Sequence, residues 1–311
     1  MAEIELSLLN EMYRRSPEGC VALAEEKYHK SISEIASYVL AHGDVRLLMI
    51  AGPSGSGKTT TANLLRDAIE RGGERAMVVS LDDFYRDGTD PEYPRHADGT
   101  RDYERPEALR LDEVAHVMQR IAAGESFELP RYDFKVAARV GMRRVDDMHD
   151  GCVIIEGLHA LNPIISATVP RDRCYRLFIS LSTNINDGGE RLISGRKMRF
   201  MRRMVRDGLY RGADAERTLE MWRGVLAAED IYLYPYRDTA DISLDTFHSF
   251  EVGVMRPFVL GMISDDLALR DPYAAEVLRA ARSVASLDES LVPDNSLIRE
   301  FIPGGIYEHL Y

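Results

Sequence analysis

A short apolar run that empties into a glycine-rich loop constrains this chain more than any other feature. Val45-Arg46-Leu47-Leu48-Met49-Ile50-Ala51 has the length of a buried strand, and Gly52-Pro53-Ser54-Gly55-Ser56-Gly57-Lys58-Thr59 matches G-x-x-x-x-G-K-[ST]. A helical pattern follows from Thr60 to Glu70, with Leu64, Leu65, Ala68 and Ile69 on one face and Gly72-Gly73 to stop it. Strand, glycine loop and helix in that order form the context in which such a loop wraps an anion. Glycines let backbone amides approach without Cβ clashes, and the helix N-terminus adds roughly half a positive charge with unsatisfied donors. Lys58 is placed to reach the β- and γ-phosphates, and the Thr59 hydroxyl to ligate Mg²⁺. The expected ATP-binding set is Gly52, Pro53, Ser54, Gly55, Ser56, Gly57, Lys58, Thr59 and Thr60.

Further short strands alternate with helical patterns. Ala76 to Leu81, Cys152 to Ile155, Tyr175 to Leu181 and Asp241 to Leu244 read as strands, which with the first predicts a mainly parallel five-stranded sheet flanked by helices. The expected class is α/β, a P-loop NTPase fold with a lid segment and a small hairpin insertion. Residues 1–44 are expected to form an N-terminal helical segment, opened by Ser16-Pro17 as N-cap and first helical position. Residues 45–256 form the nucleotide-binding domain with a lid at about 187–212, and 257–311 a helical tail packed on it. Leu111, Val114, Ala115, Met118, Ile121 and Ala122 line a helix, with Asp112 as its cap and Gly124 near its end. Leu129 to Phe134 and Arg139 to Asp147 make a basic, proline-marked hairpin.

Carboxylates end two of the strands. Asp82-Asp83 follow Leu81, where open α/β sheets bind ligands; a solvated turn is the alternative. Glu156 ends the third strand downstream of the loop, where it can hold Mg²⁺ or its water. The stretch from Asp87 to Arg105 is rich in Pro, Gly, Asp and Arg and reads as a long binding loop or lid. Arg199, Arg202, Arg203 and Arg206 fall on one helical stripe, with Met198, Met201, Met204 and Val205 opposite. A phosphate-clamping lid is one reading of that stripe, and a salt-bridge network with nearby acids is another. Nucleic acid is a weaker one, because no aromatics interleave with the arginines. Trp222 reads as a core anchor.

The net charge of −12 argues against non-specific binding to nucleic acid or acidic membranes. No apolar run approaches a membrane span, and the three cysteines, Cys20, Cys152 and Cys174, have no metal-ligand spacing. A cytoplasmic protein is expected, with a small-molecule partner, neither nucleic acid nor membrane, and homo-oligomerisation left open.

These residues resemble the uridine/cytidine kinase family, a branch of the P-loop kinases that includes phosphoribulokinase and pantothenate kinase relatives. The resemblance is carried in order by Gly52 to Thr59, Ser80 to Tyr85, Tyr103 to Ala108, Pro130 to Phe134, Ile155-Glu156-Gly157 and Arg199 to Arg203. The chain looks most like bacterial kinases that often carry a threonyl-tRNA-synthetase-like extension, expected to be absent here. That likeness runs from about Glu26 into the tail, including Trp222, Pro235 and Asn295 to Phe301. It implies ATP-dependent phosphorylation of the 5′-hydroxyl of a ribonucleoside, uridine or cytidine, with Asp82 as general base and Lys58 on the triphosphate. Thr59, Asp82 and Glu156 would organise Mg²⁺. Tyr85, Tyr103, Glu104, Tyr132, Arg139 and Arg199 would bind substrate, with Glu104 and Arg199 near the ribose hydroxyls. Two positions depart from the pyrimidine pattern: Glu104 stands where Asp is usual, and Ala137 where a base-reading histidine is usual. Competing readings are a kinase of another hydroxylated metabolite, such as a sugar phosphate or pantothenate, and a P-loop ATPase or GTPase switch or motor. Against the last, no Asn-Lys-x-Asp occurs and the third strand ends in Glu-Gly.

Overall fold

Each segment with a strand pattern forms a strand in the computed structural model, which describes residues 2–146 and 148–310. Helix α1 (Pro17–Ala41) leads to strand β1 (Leu47–Ala51), and helix α2 (Lys58–Arg71) follows the glycine loop. Next come β2 (Ala76–Ser80), α3 (Leu111–Ala123), β3 (Cys152–Glu156) and β4 (Cys174–Ser180). Helices α4 (Gly195–Tyr210) and α5 (Ala215–Tyr232) precede β5 (Ile242–Asp245) and α6 (Glu251–Met262). The five strands lie in the order β5-β4-β1-β3-β2 and all pair in parallel. Strands β1 and β3 are buried along their whole length, which is why they read as unbroken apolar runs.

The sheet has a core on each face. Leu48 and Ile50 of β1 face one, and Leu47, Met49 and Ala51 the other, as the two-residue period of a strand requires. The first core also takes in Leu9, Tyr13 and Ile32 from the N-terminal segment, Met201 and Val205 from α4, and Leu297 and Phe301 from the tail. The boundary expected at 256/257 falls inside α6, where Pro257 is an interior residue. Met1 and Tyr311, the ends of the expected segments, lie outside the described residues.

Local chemistry sets several element ends. Leu81–Phe84 turns into a 3₁₀ helix, so β2 stops at Ser80, whose Oγ accepts the Asp82 N–H at 3.3 Å. Asp112 is not the cap of α3. Arg110 takes that position, and Asp112 sits in the first turn, where its charge complements the helix dipole. The expected hairpin exists as Phe127–Asp133 paired antiparallel with Ala138–Val145; Asp147, its expected last residue, lies outside the described residues. A second small sheet joins Glu3–Glu5 to Asn184–Asp187, which pairs in turn with Glu190–Ile193. Among the described residues no helix is long and apolar enough to cross a membrane.

Candidate active site

The glycine loop owes its shape to two positive-φ glycines, Gly55 at 73° and Gly57 at 89°. A Cβ on Gly57 would come within 2.6 Å of Leu297 Cδ1, so both conformation and space demand glycine there. Three amides are taken: Ser54 N–H donates to Glu229 Oε1 at 2.9 Å, Ser56 N–H to the Pro53 carbonyl at 3.2 Å, and Thr60 N–H to Glu300 Oε2 at 3.2 Å. Among the described residues, no acceptor meets the amides of Gly55, Gly57, Lys58 and Thr59. Lys58 Nζ folds back to within 3.4 Å of the Pro53 carbonyl, at the mouth of the loop. Open amides at a helix N-terminus beside a lysine fit a polyphosphate chain.

Because the sheet is parallel, β1, β2 and β3 deliver their carboxyl ends to one edge, and Glu156 sits in register with both Ile50 and Ser80. Glu156 Oε1 accepts from Ser80 Oγ at 2.6 Å. Burial, and then the Asp82 charge, push its carboxyl above the usual range, against the pull of Lys58. No group of three or more His, Cys, Asp or Glu among the described residues forms a metal cage. Thr59 and the carboxylates of Glu156 and Asp82 are the residues that would hold Mg²⁺ alongside a triphosphate.

Glu104, from the long loop, belongs to the same place. Burial pushes its carboxyl up to about 7; Arg203 and Lys58 oppose that shift, while Glu229 and Asp82 reinforce it. Asp82 is exposed, whereas Asp83 is half-buried and accepts the Tyr132 N–H at 3.3 Å. The tyrosines expected around the substrate gather next to these carboxylates. Tyr85 Oη donates to the Tyr103 carbonyl at 2.9 Å, and the Tyr85 and Tyr132 rings lie 5.8 Å apart. Phe134 and Tyr93 extend this wall, the first 5.0 Å from Tyr132 and the second 5.7 Å from Tyr103. Sequence reasoning missed both as wall residues, since Tyr93 lies in a loop without periodicity. His159, also unassigned, is buried beyond Glu156, and burial lowers its imidazole to about 4, so it is neutral.

The arginine stripe is not an open lid. Helix α4 is buried on both sides, and Arg199 and Arg202 are at most 1% exposed. Arg199 donates from both Nη atoms to Glu229 at 2.8 Å and to the Ser54 carbonyl at 2.9 Å. Arg202 pairs with Glu251 and reaches the Gly55 carbonyl at 3.3 Å. Arg206 is held by Asp207 at 2.8 Å. These three arginines form ion pairs with neighbouring acids, as the salt-bridge alternative expected, and Arg199 makes its contacts behind the loop. Arg203 is paired as well, its Nε 3.2 Å from Asp207, while its Nη1 donates to Ser54 Oγ at 2.8 Å at the phosphate loop. The segment expected as a lid begins in the hairpin that the N-terminal strand joins and continues as this buried helix. Signals for Glu229 and Glu251 existed only as acids in unrelated helical patterns.

Arg139, expected in the substrate-binding set, is engaged elsewhere in the hairpin region. Its guanidinium pairs with Glu113 of α3, in a cavity of about 520 Å³ between α3 and the hairpin that Phe84, His116 and Phe127 also line.

Residues 47–165 match the model of the phosphoribulokinase/uridine kinase family. A uridine kinase of Halobacterium salinarum is 27% identical over 194 residues, which cover 62% of this chain and 76% of that one. A uridine kinase of Schizosaccharomyces pombe is 28% identical over 179 residues, 57% of this chain but 35% of the relative. A solved structure of a possible uridine kinase from Bacillus stearothermophilus overlays with a TM-score of 0.47 at 17% identity, covering 69% of this chain and 97% of that one. Over residues 47–165 the chain is similar to the phosphoribulokinase/uridine kinase family.

Proposed function

We propose that this protein transfers the γ-phosphoryl group of ATP to the 5′-hydroxyl of a ribonucleoside, with uridine and cytidine as the first candidates. One observation carries the reading: the charges of Arg203, Asp82 and Lys58 all act on the buried Glu104 carboxyl beside the phosphate loop, next to a group of tyrosines. Aromatic rings suit contact with a base, and a carboxylate next to them suits the hydroxyls of a sugar. The uridine kinases among the relatives support the same substrate class.

Mg-ATP supplies the electrophilic phosphoryl group and neutralises part of its charge. The protein contributes position and proton transfer. The amides of Gly55, Gly57, Lys58 and Thr59 seat the phosphates, and Thr59 with Glu156 would hold the ion. Asp82, exposed at the end of β2, takes the proton of the acceptor hydroxyl on its carboxylate as the new bond forms. Glu104 accepts from the sugar hydroxyls, and Arg203 meets the charge that spreads over the transferring oxygens. Ala137 presents no side chain able to read a base edge, so the base is selected by stacking more than by hydrogen bonds.

The test is an acceptor panel with Mg-ATP, scored by product mass: uridine, cytidine, inosine, adenosine, a pentose phosphate and pantothenate. Phosphorylation of nucleosides with modest discrimination between bases is expected. Turnover of the sugar phosphate or pantothenate alone would overturn the substrate, and rapid ATP hydrolysis without any acceptor would overturn the kinase.

A further inference from the structure

The tail stretch Ser296-Leu297-Ile298-Arg299-Glu300-Phe301 has no role in the scheme above, yet it lies directly against the phosphate loop. Leu297–Glu300 is a 3₁₀ turn capped by Ser296. Leu297, Ile298, Phe301 and Ile302 are fully buried, and the Arg202 guanidinium sits 5.1 Å from the centre of the Phe301 ring. Ser296 Oγ donates to the buried Glu25. Burial of such apolar side chains contributes about 1.5–3 kcal/mol each, so this segment does not swing away to admit a ligand.

Glu300 is therefore a fixed part of the site. Its Oε2 accepts both the N–H of Thr60 at 3.2 Å and the Thr60 Oγ1–H at 3.0 Å, and the residue is 5% exposed. Thr60 is the third residue of α2, so its amide belongs to the same helical turn as the open amides of Lys58 and Thr59. The protein thus keeps an anion of its own at the helix end that is to receive phosphates. That end offers only about half a positive charge. A bound triphosphate adds several negative charges within a few ångströms of the carboxylate, and nothing displaces the carboxylate.

We propose that Glu300 sets the affinity of the phosphate seat: it confines phosphate contacts to the amides of Gly55 to Thr59 and opposes bound phosphate through its charge. The inference rests on the reading of the loop as a triphosphate site. A second consequence follows from the same contact. Without ligand, Glu300 caps the first turn of α2, so the charge that weakens nucleotide binding stabilises the free protein.

The test is Glu300→Gln in the full chain, which keeps the shape and an acceptor oxygen but removes the charge. Dissociation constants for Mg-ATP and for inorganic pyrophosphate are measured by calorimetry without acceptor, along with the melting temperature of the free protein. Both constants should fall by about tenfold while the free protein melts earlier. A purely structural role lowers stability without tightening any ligand. Glu300→Ala, a second charge-removing variant, should tighten both ligands as well. Unchanged or weaker binding in the variants, with the native protein binding normally, would overturn the role of Glu300. Binding of neither ligand to the native protein would instead overturn the phosphate-site reading, and the inference with it.

Discussion

Asp82 and Asp83 are neighbours in the chain and differ in circumstance. Asp83 is half-buried under the hairpin, tied to the Tyr132 amide, and burial raises its carboxyl; Asp82 faces solvent at the end of β2. Asp82→Asn should therefore abolish turnover while leaving Mg-ATP affinity within about tenfold, because the loop supplies most phosphate contacts. Asp83→Asn should keep turnover within about tenfold of native. Steady-state rates and nucleotide titrations on both variants decide, and the reverse ranking would exchange their roles. Glu104 makes a prediction in pH. Its carboxyl stands at about 7 in the fold against an ordinary 4.5, and burial is the largest cause. As pH falls through 7 it takes up a proton and stops accepting from hydroxyls, so acceptor kcat/KM should fall about tenfold per unit below pH 7. For stability the sign is opposite. Between 4.5 and 7 the folded protein holds a proton that the unfolded chain has released, so this group makes stability decline as pH rises through that window. Glu104→Gln should be poorly active throughout, without that acid limb, and more stable than native above pH 7 by thermal melting.

At the level of elements, α4 divides its arginines between two tasks. Arg202 and Glu251 are both wholly buried, so Arg202→Ala leaves a carboxylate without its counterion in the core. That should cost about 3–5 kcal/mol in a denaturant titration, much of it recovered when Glu251→Met accompanies Arg202→Met. Arg203 donates to Ser54 of the loop and its charge acts on Glu104, so on the proposed function Arg203→Ala should lower kcat more than it weakens ATP binding. Equal losses in both would place Arg203 with the structural pairs. The sequence located α4 and its stripe correctly, because helical period is a local property. It could not say that the stripe faces inward, since a face of arginines and a face of methionines give the same period whichever is buried.

In the whole molecule, the N-terminal segment, one face of the sheet and the tail share one apolar core. The tail therefore acts as structure as well as a wall of the site. Removing residues 296–311 should uncover the partners of Leu297, Ile298 and Phe301 and abolish a single cooperative unfolding transition, seen as dye binding to exposed apolar surface and a broadened melt. A truncated chain that melts as sharply as the native one would show the tail to be dispensable to the core. The sequence alone determined the phosphate loop, the carboxylates at the ends of β2 and β3, and the parallel sheet. Each of these follows from constraints between near neighbours: glycines where φ is positive, apolar runs where both sheet faces are covered, acids where a strand ends. Only the tertiary structure decided which charges serve the site. Arg199 meets Glu229 across 30 residues, Arg202 meets Glu251 across 49, and Thr60 meets Glu300 across 240. No local pattern records such partners, because their pairing is set by how the elements stack, and a buried arginine beside its counterion has the same sequence signature as one waiting for phosphate.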